Sequence, residues 1–169
     1  MRHILQGFTM FLDGLDFGID TEEVDLPLPR PMTQDYRGGG MDLGVSQAMS
    51  AIEALEVTVK MAGHNPDIMK RMALRPGLTT RVTFRGGVLR ELDGGIDAHV
   101  CIVEGQINGS SRDRWQRGEK GGVEFVMNSI KYMRYETGID VVHELQAWPP
   151  KRIINGVNQL AELNQALGY

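Results

Sequence analysis

The stretch Gly122 to Ala147 limits the fold more than any other part of the chain. Two runs rich in β-formers, Val123–Tyr135 and Ile139–Ala147, are separated by Glu136-Thr137-Gly138, a three-residue loop ending in glycine that suits a type I turn closed by a left-handed residue. The expectation is a long hairpin over 122–147. Its first arm is about thirteen residues, longer than most globular strands. Val123, Phe125 and Met127 share one face, and Glu124, Asn128 and Lys131 then fall out of strict phase, which predicts a bulge near Asn128-Ser129. A bulged hairpin this long, with polar residues on both faces, is poorly served by one compact core. It calls for a second surface, and a sheet continued from copy to copy would supply one while removing exposed edges.

The rest of the chain reads as many short strands and turns forming one domain over 1–169, because its 21 glycines are spread through turn positions rather than pooled. Ile4–Leu12, Phe17–Ile19 and Val24–Leu26 suggest a small meander. Pro27, Pro29 and Pro31 remove three backbone donors, so Leu26–Met32 belongs in an extended, exposed segment. The glycine triplet Gly38-Gly39-Gly40 follows, and a loop of that entropy is either mobile or fixed from outside its own domain. The second is expected, with a positive φ at Gly39.

Ala51–Ala62 alternates as a half-buried strand, and Asn65-Pro66 caps a helix over 65–75 that stops at Pro76-Gly77. Thr79–Leu92 and Asp97–Ile107 are strands joined at Asp93-Gly94-Gly95, and Gly86-Gly87 marks a bulge or a close backbone approach. Asn108-Gly109-Ser110 reads as a turn, Ser111–Lys120 as a charged loop, and Trp148-Pro149-Pro150 as the end of the sheet. Val157, Leu160, Leu163 and Leu167 recur at helical spacing, giving a C-terminal helix over 157–167 closed by Gly168.

Chemistry is sparse. His3, His64, His99 and His143 lie far apart without metal-ligand spacing, and Asp13, Asp16 and Asp20 do not follow the alternation of a calcium loop. Gly38 and Gly40 match two positions of a dinucleotide fingerprint, but Leu43 takes the third. No nucleophile elbow is present. The expectation is no enzyme, no catalytic residue, no metal and no cofactor. Net charge of −4 argues against a surface built to grip nucleic acid. Cys101, alone in Val100-Cys101-Ile102-Val103, is expected to be a buried thiol. With no membrane span and no signal-peptide core near Met1, the chain is expected in a cytoplasm without membrane anchoring. Arg112, Arg114, Trp115 and Arg117 could stack bases or bind phosphate. A solvated loop or a protein contact explains them as well.

Three stretches together carry a resemblance. Asp35-Tyr36-Arg37-Gly38-Gly39-Gly40-Met41-Asp42 follows a Leu-Pro segment. Gly118-Glu119-Lys120 leads into a long strand ending in Lys131-Tyr132 and Tyr135-Glu136. Ile154-Asn155-Gly156-Val157-Asn158-Gln159-Leu160 lies near the C-terminus. In this order, over essentially the whole chain, they resemble the major tail tube proteins of contractile-tailed bacteriophages and related phage-tail-like bacteriocins.

The resemblance implies a mainly β fold, a bent β-sandwich or partly open barrel with a short flanking helix and a C-terminal helix. Six copies would close into homohexameric rings around a continuous inner β-barrel, and the rings would stack into a tube. The implied partners are further copies of itself, a tail sheath protein, and a tape-measure protein and genomic DNA in the lumen. The implied location is the virion, after assembly in the host cytoplasm. Pro29, Tyr36, Arg37, Gly38, Gly39, Gly40, Met41 and Asp42, within 27–42, match the loop that reaches a neighbouring subunit or ring. Phe125, Met127, Tyr132, Tyr135 and Val141 mark the wall hairpin, with 54–62 and 80–92 as further wall strands. Asn155, Gly156 and Val157 mark the C-terminal motif. The negative charge is expected on the inner wall. A secretion-system tube shares this architecture, and a small ligand-binding β-barrel is the rival from another class.

Overall fold

The computed structural model describes residues 2–71, 77–118 and 121–169. The described chain runs β1 (His3–Leu12), β2 (Leu15–Asp16), β3 (Thr21–Asp25), β4 (Pro31–Tyr36), β5 (Val45–Ile52), β6 (Val57–Ala62), α1 (Pro66–Arg71), β7 (Thr80–Arg90), β8 (Ile96–Arg112), β9 (Gly122–Thr137), β10 (Asp140–Gln146), β11 (Lys151–Ile154), β12 (Val157–Asn158) and α2 (Ala161–Leu167). All but β4 and β5 join one ten-stranded sheet with the order β12-β11-β10-β9-β8-β7-β1-β2, and β9 also carries a branch through β6 to β3.

The branch explains the length of β9. One of its edges pairs with β8 almost throughout. The other pairs with β6 over Gly122–Met127 and with β10 over Tyr132–Thr137. Between the two partners the register slips: Asn128 faces Gln106 and Tyr132 faces Glu104, so four steps on β9 meet two on β8. Ser129 takes φ 51° there, and the phase slip read from the sequence is this bulge. The extra residues let the two halves of β9 serve two limbs of the sheet.

Those limbs enclose one core. Met10, Leu12, Val82, Phe84, Val103, Phe125 and Met127 pack with Val57, Val59 and Met61 of the β6 limb and with Phe17 and Ile68, while Val24 and Leu26 lie against the edge of the cluster. The result is a sandwich whose two layers are continuous through β9. It is open where the free edges of β1 and β3 do not pair with each other. Gly86 permits a close approach: a Cβ there would stand 2.9 Å from Leu5 Cδ1, beside a β1 bulge between Leu5 and Gly7. Asn65 Oδ1 accepts the Asp67 N–H at 3.0 Å, so the start of α1 is capped as the sequence predicts. Residues 72–75 of the predicted helix lie outside the described residues, as do Pro76 of its stop signal and Glu119-Lys120.

Several expected boundaries move. Thr137 pairs with Asp140, so the hairpin loop is Gly138-Ile139 rather than Glu136–Gly138, with Gly138 at φ 61° leading a two-residue turn. Asn108-Gly109-Ser110 is not a turn. It continues β8 with a one-residue register shift, because pairing with Phe125 and Val126 of β9 outweighs the local turn preference. Trp148-Pro149-Pro150 does not end the sheet, since the chain reverses there and returns as β11 against β10. The predicted strand over 51–62 is the end of β5 and all of β6, separated by residues 53–56.

Cys101 faces the core at 1% exposure, and burial pushes its thiol pKa up to about 12. The folded protein is expected to react with a thiol-specific chromogenic reagent at pH 8 only slowly, and stoichiometrically once denatured, since the thiolate is the nucleophile. Rapid stoichiometric reaction of the native protein would contradict this burial.

Candidate assembly surfaces

The residues marked by the glycine-rich motif form an arm. Among the described residues β4 and β5 pair only with each other, from Pro31 opposite Ile52 to Tyr36 opposite Val45. β4 is exposed along its whole length and β5 along all but Ile52. Leu28 and Pro29 lie in the approach to β4. At the tip, Gly38 O accepts the Met41 N–H at 3.0 Å, and Arg37 Nε donates to Met41 O at 3.3 Å, so residues 37–41 are looped on themselves. Gly39 does not take a positive φ, and a side chain there would meet nothing within 4 Å. The expected left-handed strain at Gly39 is therefore absent. Its small size is not required by this subunit.

Strand alternation gives the arm two unlike faces. Tyr36 opposes Val45 and Gln34 opposes Gln47 on one side, and Met32 and Met49 stand exposed next to them, where the register shifts between Pro31 and Thr33. The other side carries Thr33, Asp35, Ser46 and Ala48. A two-stranded hairpin is at best marginal alone in water, and this one presents Met32, Tyr36, Val45 and Met49 to solvent. Its root is tied down where Arg152 Nη2 donates to Ser50 O at 2.8 Å and the Glu53 N–H donates to Arg30 O at 2.9 Å.

The wall candidates divide by face. Phe125 and Met127 are fully buried in the core. Tyr135 also points inward, its hydroxyl 2.7 Å from His99 Nδ1, and burial pushes its phenol pKa up. Val141 is half-buried near the hairpin turn. Tyr132 faces the opposite way, onto the outer face of β7–β10. There the register sets Arg81, Glu104, Tyr132 and Gln146 in one row and Thr83, Ile102, Arg134 and Glu144 in the next. Arg85, Val100 and Glu136 follow in a third row.

The carboxylates on this face are matched. Glu104 pairs with Arg81 at 3.7 Å, Glu144 with Lys151 at 2.9 Å, and Glu136 with Arg134, while Arg85 lies over the Phe11 ring. Such surface pairs contribute only about 0–1 kcal/mol each to stability, so their consequence is cancellation of charge. With four cations to three carboxylates among these residues, the face carries no negative surplus.

Asn155 and Gly156, at φ 49° and 77°, make the two-residue turn between β11 and β12, with Ile154 opposite Val157. Val157 therefore begins a strand, and the helix expected over 157–167 starts only at Ala161. Asn158 Oδ1 accepts the Leu160 N–H at 3.1 Å before the helix. Gly168 closes it at φ 84°, as predicted. Leu163 and Leu167 stay exposed. Among the described residues no group of three His, Cys, Asp or Glu is placed to hold a metal ion. Among the described residues no helix is long and apolar enough to cross a membrane.

Residues 2–168 match the family described as phage tail tube protein FII. The fold is similar to a chain of the sheath–tube complex of an extracellular contractile injection system in its extended state, determined by cryo-electron microscopy. The TM-score is 0.54 at 9% identity, covering 77% of this chain and 88% of that one. No curated protein matches the sequence.

Proposed function

The chain belongs to the phage tail tube protein FII family, and from that premise we propose how it acts as a structural subunit of a contractile tail. Six copies close into a ring, rings stack into a tube, and the tube is the conduit through which genomic DNA passes. The sheath protein surrounds the tube, a tape-measure protein occupies the lumen before DNA does, and the assembled particle is a virion put together in the host cytoplasm. The work is mechanical, with no catalytic step and no cofactor.

The observation that carries this reading is the arm. An isolated two-stranded hairpin with one apolar face gains its missing burial from a neighbouring copy, and Tyr36, Arg37, Gly38, Gly39, Gly40, Met41 and Asp42 at its end are placed to reach that copy. Pro29 keeps the approach to it extended. We place the lumen on the outer face of β7–β10, where Tyr132 lies. A wall whose carboxylates are matched by cations gives phosphates few free positive charges to condense on, so DNA slides rather than adheres. The rival reading as a ligand-binding barrel needs an enclosed cavity. Here the interior is packed around Met10, Phe125 and Met127, the cavity of about 330 Å3 beside Val24, Leu26, Phe84 and Tyr135 lies at the open side of the sandwich, and a binding barrel gives the arm no role.

The test is sedimentation velocity and negative-stain microscopy of the purified chain over a range of concentrations. Rings and stacked tubes are expected as concentration rises. A compact monomer at every concentration would end the proposal.

A further inference from the structure

The β8–β9 ladder runs from His99 opposite Thr137 to Arg112 opposite Val123, roughly 40 Å of strand. Its two ends differ in charge. At one end the β7–β8 and β9–β10 turns sit side by side, the Gly138 N–H donating to Ala98 O at 2.8 Å. Glu91, Asp93, Asp97 and Asp140 stand there against Arg90 and Arg2, the latter's carbonyl accepting the Glu91 N–H. The tips of these turns are apolar: Ile139 is 98% exposed and Leu92 75%. Turn positions ordinarily go to Gly, Asn, Asp or Ser, so nothing in the turns themselves requires a bare Ile.

At the other end, the last residue of β8, Arg112, and the segment after it bring Arg112, Arg114 and Arg117 around Trp115, which is 75% exposed. Arg112 lies over the Trp115 ring, and His64 approaches the same ring at 5.8 Å between centroids. Asp113, the carboxylate among them, is occupied by the Gly122 N–H at 2.8 Å. His64, Arg114, Trp115 and Arg117 border a concavity of about 550 Å3. An aromatic floor ringed by guanidiniums is complementary to an apolar tip ringed by carboxylates.

We propose that these two ends are the two halves of one contact between stacked copies: Ile139 and Leu92 of one subunit seat against Trp115 of the next, with Glu91 and Asp140 facing Arg114 and Arg117. Joining unlike ends makes the contact heterologous, and a heterologous contact that does not close on itself propagates as a filament. This inference rests on the tube reading and supplies its axial surface. The arm and the sheet edges are left to hold copies together by other faces.

The test exchanges charge between the ends. Asp93 is left alone because it accepts the Gly95 N–H and pairs with Arg90. The doubles Arg114→Glu with Arg117→Glu, and Glu91→Lys with Asp140→Lys, are expected to keep the circular dichroism of the parent and still form rings. Mean tube length in the microscope should fall by about tenfold or more in each, as like charges now face one another. The quadruple variant, its charges exchanged, should recover tube length. Unchanged tubes in either double, or a quadruple no better than the doubles, would overturn the contact. If the glutamate double does not fold, Arg114→Gln with Arg117→Gln replaces it; its tube length should no longer depend on salt, and an undiminished salt dependence counts against the contact. If the unaltered chain forms neither rings nor tubes, the tube reading fails instead.

Discussion

Removing the arm, by joining Arg30 to Glu53 through a short glycine-serine linker, is expected to leave a folded subunit that forms no tubes. The first half follows from the sheet order: among the described residues β4 and β5 hydrogen-bond to no other strand, and Arg30 and Glu53 already meet at the root. The core residues all lie outside the excised segment except Ile52, which packs at its margin. The second half follows from what the arm lacks. Met32, Tyr36, Val45 and Met49 are between one third and two thirds exposed, and completing their burial on a neighbour is favourable by about 1 kcal/mol apiece. Repeated at every subunit of the proposed ring, that would be a large share of the driving force for assembly. A finer version is Val45→Asp with Met49→Asp, expected to abolish tubes, beside Ser46→Asp on the polar face, expected to spare them. Gly39→Val has room within the subunit, so any loss of tubes it causes reports the approach of a neighbour. Tubes of normal length from the armless chain, seen by negative stain, would remove the arm from the mechanism.

What the sequence revealed, and what it hid, depends on where each residue finds its partner. The β9–β10 hairpin, the bulge at Ser129, the capped start of α1 and the glycine stop of α2 were legible because their causes are local. β5 was not. Val45, Gln47 and Met49 alternate with Ser46, Ala48 and Ser50, too weak a contrast to mark a strand that is exposed on both faces within the subunit. Asn108-Gly109 and Asn155-Gly156 carry the same dipeptide and do different things. The first is held in a strand by its long pairing with β9, and the second makes a tight turn that the helical spacing of Val157, Leu160, Leu163 and Leu167 disguised. Charge was hidden more deeply. A net charge of −4 cannot say where it lies. Only the register shows that Glu104, Glu136 and Glu144 each meet a cation, and that the Arg112–Arg117 segment and the acidic turns sit at opposite ends of one ladder.

Phe125→Ala is expected to give the largest loss of stability of any single truncation in the chain. Phe125 is fully buried in β9 between Val59 of β6 and Ser110 of β8, on the half of the strand that holds the two limbs together. Truncating a buried Phe costs about 3–5 kcal/mol, against a total of roughly 5–15 for an ordinary domain. In a chain of this size the midpoint of thermal unfolding should drop by roughly 6–20 °C. Tyr132→Ala, seven residues on and facing the outer side, should move it far less, because its side chain is outside the core. The comparison separates the two faces of β9, one closing the core and the other, in the proposed tube, lining the wall. Assembly adds a second signature. Anything that binds only the folded state raises apparent stability, so the Phe125→Ala midpoint should climb with protein concentration if the subunits still form tubes, and stay flat if they do not. A midpoint within a degree or two of the parent would mean that the core is not centred on Phe125.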